Sequence, residues 1–242
     1  MSLVDYAIIG SRLKAPTLRV GNRGRKTPAR AMGREQEATG HSGVVMSWKI
    51  VIDGGNLGFA AAHFITFEGR CEPLHGHNYG VSLELAGALT RDSYVFDFVA
   101  LKDIMRAICK EWDHCFLLPL QNPHLRLVET AREWEIIYTG SFDAQPIASN
   151  APALPAPPAN SREPLRYVLP RETVVTLPVD NATAERLAEQ LARRIVGQLR
   201  QRLAPTPAAF DALTTLTVGV AETEMQTAFY TLDLCNLEHS AS

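Results

Sequence analysis

The sequence predicts an α+β fold, an antiparallel sheet covered on one face by two helices. Three observations predict it. Short runs with alternating apolar residues recur towards both ends, as in Tyr79, Val81, Leu83 and Leu85, and in Leu213-Thr-Thr-Leu-Thr-Val-Gly-Val220. Two longer runs between them, 98–112 and 182–203, repeat their apolar residues at helical spacing. The resulting order is strand, strand, helix, insertion, helix, strand, strand. Hairpins at both ends with two helices between them make a sheet with one helical layer.

The totals narrow the class. The chain has 242 residues and a net charge of −2. That length fits one large domain or a smaller one with additions. A charge near zero gives no global signal for nucleic acid or an acidic membrane. Cysteines at 71, 109, 115 and 235 show no CxxC spacing, so free thiols in a reducing compartment are expected. No apolar run is long enough to span a bilayer, and the N-terminus lacks a secretory pattern. A cytoplasmic protein with no membrane partner is the expectation.

Each element has a local reason. Residues 1–45 place Arg19, Arg23, Arg25, Lys26 and Arg30 among glycines, with Pro28 and no periodicity, and read as a disordered basic tail. Met46, directly before the first structured segment, is an alternative start. The domain expected at 46–242 opens with Trp48–Ile52 and Leu57–His63, one strand interrupted at Gly54-Gly55 or two short ones. A second strand runs from His77 to Ala86, and 64–76 links the two. Asp97 is a plausible N-cap for the helix at 98–112, which turns Leu101, Ile104, Met105, Ile108, Cys109 and Trp112 to one side and stops near Asp113-His114-Cys115.

Residues 120–178 look inserted. Leu125–Thr130 and Trp134–Tyr138 alternate as a hairpin. The Pro/Ala-rich run at 144–164 cannot form a core. Tyr167-Val-Leu and Thr173–Leu177 read as another extended pair. Asn181-Ala-Thr matches a glycosylation triplet, but without a secretion signal capping by Asn181 or Thr183 is the better use. The helix that follows keeps its arginines on the solvated side, and strands at 213–220 and 227–232 close the domain.

The chemistry concentrates in Cys71-Glu-Pro-Leu-His-Gly-His-Asn-Tyr79. If this stretch is extended, His75 and His77 point to one face. Two imidazoles on one face are two-thirds of a catalytic zinc site, and His63 is the candidate for the third ligand. The competing reading is a pair of surface histidines beside a turn. Asp113-His114 is either a local helix end or a carboxylate that orients an imidazole for proton transfer. Glu222 or Glu224, at a strand end, could accept two parallel hydrogen bonds from a ring with adjacent N–H donors, or could be a solvated acid.

These residues together carry a resemblance. The set Phe59…His63, Cys71-x3-His75-Gly-His77-x-Tyr79, Asp97-Phe98…Lys102, Asp113-His114, Thr183-x-Glu185 and Glu222-Thr223…Tyr230 resembles the 6-pyruvoyltetrahydropterin synthase family, which includes the 6-carboxytetrahydropterin synthases of queuosine biosynthesis. It covers about 48–118 and 179–234. The resemblance implies the tunnelling fold (T-fold), a four-stranded antiparallel sheet with two helices on one face. It implies homo-oligomers, trimers that pair into hexamers, with sites at subunit interfaces. It implies Zn2+ held by His63, His75 and His77, Cys71 as catalytic thiol, Asp113 and His114 as the rest of a proton relay, and Glu222 with Thr223 at the pterin ring. The implied substrate is 7,8-dihydroneopterin triphosphate, and the implied product a 6-carboxy- or 6-pyruvoyl-tetrahydropterin.

One departure bears on the product. Glu72 follows Cys71 directly, and some members of the family, including a subgroup from malaria parasites, have a glutamate in place of the cysteine. They cleave the side chain to 6-hydroxymethyl-7,8-dihydropterin. This sequence holds both residues, so Glu72 is a further catalytic candidate or a solvated loop acid. Two readings from other classes are an inactive zinc-holding member and a module whose basic tail contacts nucleic acid, although no nucleic acid is expected.

Overall fold

The computed structural model describes residues 47–54, 57–68, 70–140 and 165–237. The basic tail and the Pro/Ala-rich run lie outside them. In chain order the elements are β1 (Trp48–Ile52), β2 (Gly58–His63), β3 (Thr66–Phe67), β4 (Arg70–Cys71), β5 (His75–Gly87), α1 (Phe98–Trp112), β6 (Cys115–Pro119), β7 (Leu125–Glu129), β8 (Glu133–Tyr138), β9 (Arg166–Pro170), β10 (Val174–Leu177), α2 (Ala184–Leu203), α3 (Pro207–Asp211), β11 (Leu213–Thr223) and β12 (Gln226–Asp233).

The long strand β5 is the spine of the main sheet. On one side it pairs antiparallel first with β2, from His63↔His75 to Gly58↔Gly80, and then with β1, from Ile52↔Leu83 to Trp48↔Gly87. The first strand is therefore two pieces on one partner. Between them Gly54 takes a φ of +73°, a left-handed conformation that costs glycine little. On its other side β5 pairs with β11, which forms a hairpin with β12. This antiparallel core and its two long helices are the expected α+β T-fold.

Alternation decides what each face does. Tyr79, Val81, Leu83 and Leu85 of β5 and Leu216, Val218 and Val220 of β11 are buried. They pack against Leu101, Met105, Ile108 and Trp112 of α1 and Leu187, Leu191, Ile195 and Leu199 of α2. Each such side chain contributes about 1.5–3 kcal/mol through burial. Asp97 caps α1, its Oδ1 accepting from Ala100 N at 2.7 Å. Thr183 caps α2, its side chain accepting from Arg186 N.

The sheet is wider than expected. It has seven strands, because β6 and β10 extend it beyond β2. Both additions run parallel to their neighbours. The sequence reading missed β6 because Phe116, Leu117 and Leu118 are all buried, so no alternation survives. Leu117 faces the main core, and its neighbours Phe116 and Leu118 face a second one.

Tyr167-Val-Leu and Thr173–Leu177 do not pair with each other. A 3-10 turn at Arg171–Thr173 separates them. The first joins β8 to complete a three-stranded sheet, β7-β8-β9, and the second joins β6. The short helix α3 was also not foreseen. The second core contains Phe64, Phe116, Leu118, Trp134 and Ile136, with Leu125, Leu127, Tyr167 and Leu169 against it. It fastens the three-stranded sheet to the main one. No helix among the described residues is long and apolar enough to cross a membrane.

Asn181 caps no helix. Its Oδ1 accepts from Thr66 N at 3.1 Å and its Nδ2 donates to Thr66 O at 2.8 Å, joining the approach to α2 to β3. Two neutral bonds contribute roughly 0.5–1.5 kcal/mol each. Asn181→Ala should therefore lower stability by about 1–3 kcal/mol. The check is a lower urea midpoint with an unchanged slope.

Candidate metal centre and active site

Three histidines meet where β2 ends and β5 begins. The hairpin register sets His63 opposite His75 and Ala61 opposite His77. By alternation, all three imidazoles project to the face that carries Phe59 and Tyr79. Ring centroids are 4.6 Å apart for His63–His75, 5.2 Å for His63–His77 and 5.0 Å for His75–His77. One ligand atom from each lies within 4.8 Å of the other two.

The protein fixes which nitrogens are available. His63 Nδ1 lies 2.7 Å from Ala182 O, and His75 Nδ1 lies 2.9 Å from Pro73 O. A carbonyl only accepts, so both Nδ1 atoms donate and both Nε2 atoms keep their lone pairs. Backbone carbonyls commonly orient metal-binding imidazoles in this way. His63 is 2% exposed, and its Nε2 is buried with no hydrogen-bond partner. Such an orphan is costly unless something occupies it. Burial, and then the neighbouring His75 and His77, lower the His63 pKa to about 4, against the opposing Ala182 bond. The ring is neutral at pH 7 and ready to ligate. The donor set fits a metal with three imidazole ligands.

The adjacent pair Cys71 and Glu72 divides between two environments. The Glu72 carboxylate is within electrostatic reach of His75, His77 and Glu222. Burial raises its pKa, His75 opposes that, and Glu222 adds to it. The Cys71 side chain packs instead against the second core. Its thiol is felt by the hydroxyls of Tyr138 and Tyr167, and burial pushes its pKa up to about 12. Glu72 is thus within electrostatic reach of His75, His77 and Glu222, whereas Cys71 packs towards the second core.

Glu222 lies near the end of β11, where the preceding Ala221 pairs with Gly80. Thr223 is the last residue of β11 and pairs with Gln226 across the hairpin. Its Oγ1 accepts from Met225 N at 3.4 Å and lies 3.5 Å from Gln226 Oε1. The sequence places Tyr79 on the apolar face of β5 and at the end of the histidine motif, with no role for its hydroxyl. Its hydroxyl is buried without a partner among the described residues, and burial and the Glu222 charge raise its pKa. The one signal for it was a phenol, rather than an aliphatic chain, two residues after His77.

Asp113 and His114 form a pair away from the histidine cluster. Asp113 Oδ1 accepts from Ala60 N at 2.8 Å, and its Oδ2 lies 2.9 Å from His114 Nδ1. Those two partners, Ala60 first, hold the carboxyl below its usual range. His114 N donates back to Ala60 O. The φ of His114 is +59°, a left-handed value that is uncommon away from glycine. Its side chain is 82% exposed. It lines a shallow groove of about 440 Å³ with Ala60, Ala62, Gly76, His77 and Asn78. Ala60, Ala62, Gly76 and Asn78 alternate with the three histidines along β2 and β5, so the groove lies mainly on the other sheet face.

The buried His63 makes metal-free stability depend on pH. Its folded pKa near 4 lies below the ordinary 6.5, so between these values the unfolded chain binds the extra proton. This contribution is complete above about pH 6.5 and is lost as pH falls towards 4. Denaturation midpoints of the metal-free protein should drop across that window, and the drop should be smaller in His63→Gln. Parallel curves for the two proteins would exclude the assignment.

Comparison with known proteins accords with this geometry. The family described as "6-pyruvoyl tetrahydropterin synthase" matches residues 56–233. A putative 6-carboxy-5,6,7,8-tetrahydropterin synthase of Methanocaldococcus jannaschii is 29% identical over 145 residues, 60% of this chain and 74% of that one. A dihydroneopterin monophosphate aldolase of Pyrococcus furiosus is 38% identical over 56 residues, 23% of this chain and 47% of that one. The crystal structure of 6-pyruvoyl tetrahydropterin synthase from Plasmodium vivax superposes with a TM-score of 0.62 at 26% identity, covering 78% of this chain and 99% of that one. Two further structures of that enzyme carry alanine or cysteine in place of a glutamate described as a catalytic residue. The chain belongs to the 6-pyruvoyl tetrahydropterin synthase family.

Proposed function

We propose that this protein is a zinc-dependent lyase that cleaves the side chain of a phosphorylated 7,8-dihydroneopterin to give 6-hydroxymethyl-7,8-dihydropterin. The observation that carries the product is the division of Cys71 and Glu72. The carboxylate lies within electrostatic reach of His75 and His77, and the half-buried thiol packs against the second apolar core. The glutamate described as catalytic in the Plasmodium vivax enzyme and the aldolase name of the Pyrococcus furiosus relative support it.

Zinc suits three imidazoles with a position left for substrate. When bound, it polarises the substrate's oxygen atoms as a Lewis acid. His63, His75 and His77 hold it, and the carbonyls of Ala182 and Pro73 keep two of the rings in the ligating tautomer. Glu222 accepts hydrogen bonds from the pterin's amino group and adjacent ring N–H. Glu72 takes the proton of the 2′-hydroxyl. The C1′–C2′ bond breaks, its electrons form a C1′=C6 bond while the C6=N5 π pair shifts onto N5, and C2′ leaves as an aldehyde. The proton then returns to C1′. The raised pKa of Glu72 suits a group that must accept a proton and then give it back.

Asp113 and His114 act in this reading on a neighbouring protomer. They lie on the sheet face away from their own histidines, and the imidazole is open to solvent. Strand edges are available for assembly into a trimer or hexamer. β12 ends the strand order and exposes Phe229, and β1, which pairs only with β5 among the described residues, exposes Trp48 and Val51.

A second reading is formation of a 6-carboxy- or 6-pyruvoyl-tetrahydropterin with Cys71 as base. The name of the Methanocaldococcus jannaschii relative favours it. It requires the thiol to leave its apolar surroundings.

Elemental analysis of purified protein should find about one zinc per chain, lost in His77→Ala. Metal content unchanged by that substitution would exclude the site. With dihydroneopterin triphosphate as substrate, Glu72→Gln should slow formation of the hydroxymethyl product by roughly 10²-fold or more, the range for loss of a general base. Cys71→Ala should stay within about threefold of the parent. Chromatography of the pterins decides between the readings, because the cysteine-based reaction requires the opposite pattern.

A further inference from the structure

The sheet formed by β7, β8 and β9 grips the chain on both sides of Glu72. The first grip is at Cys71. Its side chain lies against a core to which all three strands contribute, Leu125 and Leu127 from β7, Trp134 and Ile136 from β8, and Tyr167 and Leu169 from β9. The second grip is at Leu74, whose N donates to Tyr167 Oη at 3.3 Å. The ring of Tyr167 is itself fixed, stacked on Phe64 with centroids 5.7 Å apart and planes 20° from parallel. Glu72 N, between the two grips, donates to Ile65 O at 2.9 Å.

Adjacent side chains on an extended chain diverge. Cys71 and Glu72 therefore cannot both face the histidines, and whatever holds one direction for Cys71 sets the other for Glu72. Turning the thiol towards the histidines would expose an apolar group, open a gap beside Tyr167 and strain the bond at Leu74. We propose that the β7–β8–β9 sheet selects the reaction: by packing its apolar side chains against the half-buried Cys71 thiol, it commits Glu72 to the metal side and withholds the cysteine as a base. Tyr167 is the positioning residue. The proposal rests on the reading of Glu72 given above. It adds that the two bases are alternatives and that a segment outside the metal centre chooses between them.

The test uses the full chain loaded with zinc. Iodoacetamide labelling is followed for each cysteine by mass spectrometry, with exposed Cys235 and buried Cys109 as internal references. In the parent, Cys71 should label at least about tenfold more slowly than Cys235. Tyr167→Phe keeps the ring and loses the bond to Leu74, so Cys71 should stay protected. Tyr167→Ala opens the enclosure, and Cys71 should label at least about tenfold faster than in the parent at unchanged zinc content. Leu169→Ala removes a different wall and should act in the same direction if Tyr167→Ala does not fold. In whichever variant exposes Cys71, the ratio of carboxy or pyruvoyl to hydroxymethyl product should rise, and Tyr167→Phe should restore the parental ratio.

Labelling of Cys71 in the parent as fast as Cys235 overturns the proposal. Exposure of Cys71 with no change in product ratio also overturns it and leaves Glu72 as the base. Failure of the functional reading shows separately, as a hydroxymethyl rate unaffected by Glu72→Gln, because thiol protection is read without turnover.

Discussion

The bond from His63 Nδ1 to Ala182 O is the contact on which the site depends. It joins the last residue of β2 to the approach of α2, across 119 positions of sequence. Without it the ring would be free to choose its tautomer and its rotamer. With it, Nε2 is aimed inward, unprotonated and buried. The two bonds between Asn181 and Thr66 hold the same junction one residue away. Ligand geometry is thus set by backbone atoms of a segment that supplies no ligand. Precision in a metal site comes from such supporting bonds as much as from the ligands themselves.

A single strand, β2, serves both faces of the sheet. On one face it ends in His63. On the other, Ala60 N and O hold Asp113 and His114. The small side chains of Ala60, Ala62 and Gly76 leave the second face open around His114. The strand therefore carries a buried side that ends in the histidine cluster and an open side occupied by the Asp113–His114 pair.

The sequence made the fold class and the histidine cluster legible for the same reason. A period of two is a property of the strand itself, so His-x-His and the alternation of β5 predict direction before any tertiary contact is known. What was not legible came from burial on two sides and from contacts far apart in sequence. β6 hides its strand character because Phe116, Leu117 and Leu118 are all buried. Cys71 packs against a core that includes Tyr167 and Trp134, which lie more than 60 residues away. Sequence neighbours point to capping by Asn181 or Thr183; Thr183 takes the cap, whereas the partner of Asn181, Thr66, is 115 residues distant.

The hairpin of β2 and β5 also bears on the order in which the molecule is made. His63, His75 and His77 fall within 15 consecutive residues, and closing so short a loop costs little entropy. During synthesis the three imidazoles emerge together, well before Ala182 or Glu222. A nascent chain can bring its three imidazoles together long before it has the carbonyl that orients His63. Gathering the rings and fixing the tautomer of His63 are separated along the ribosome's timetable, and the arrival of the segment before α2 is the event that joins them.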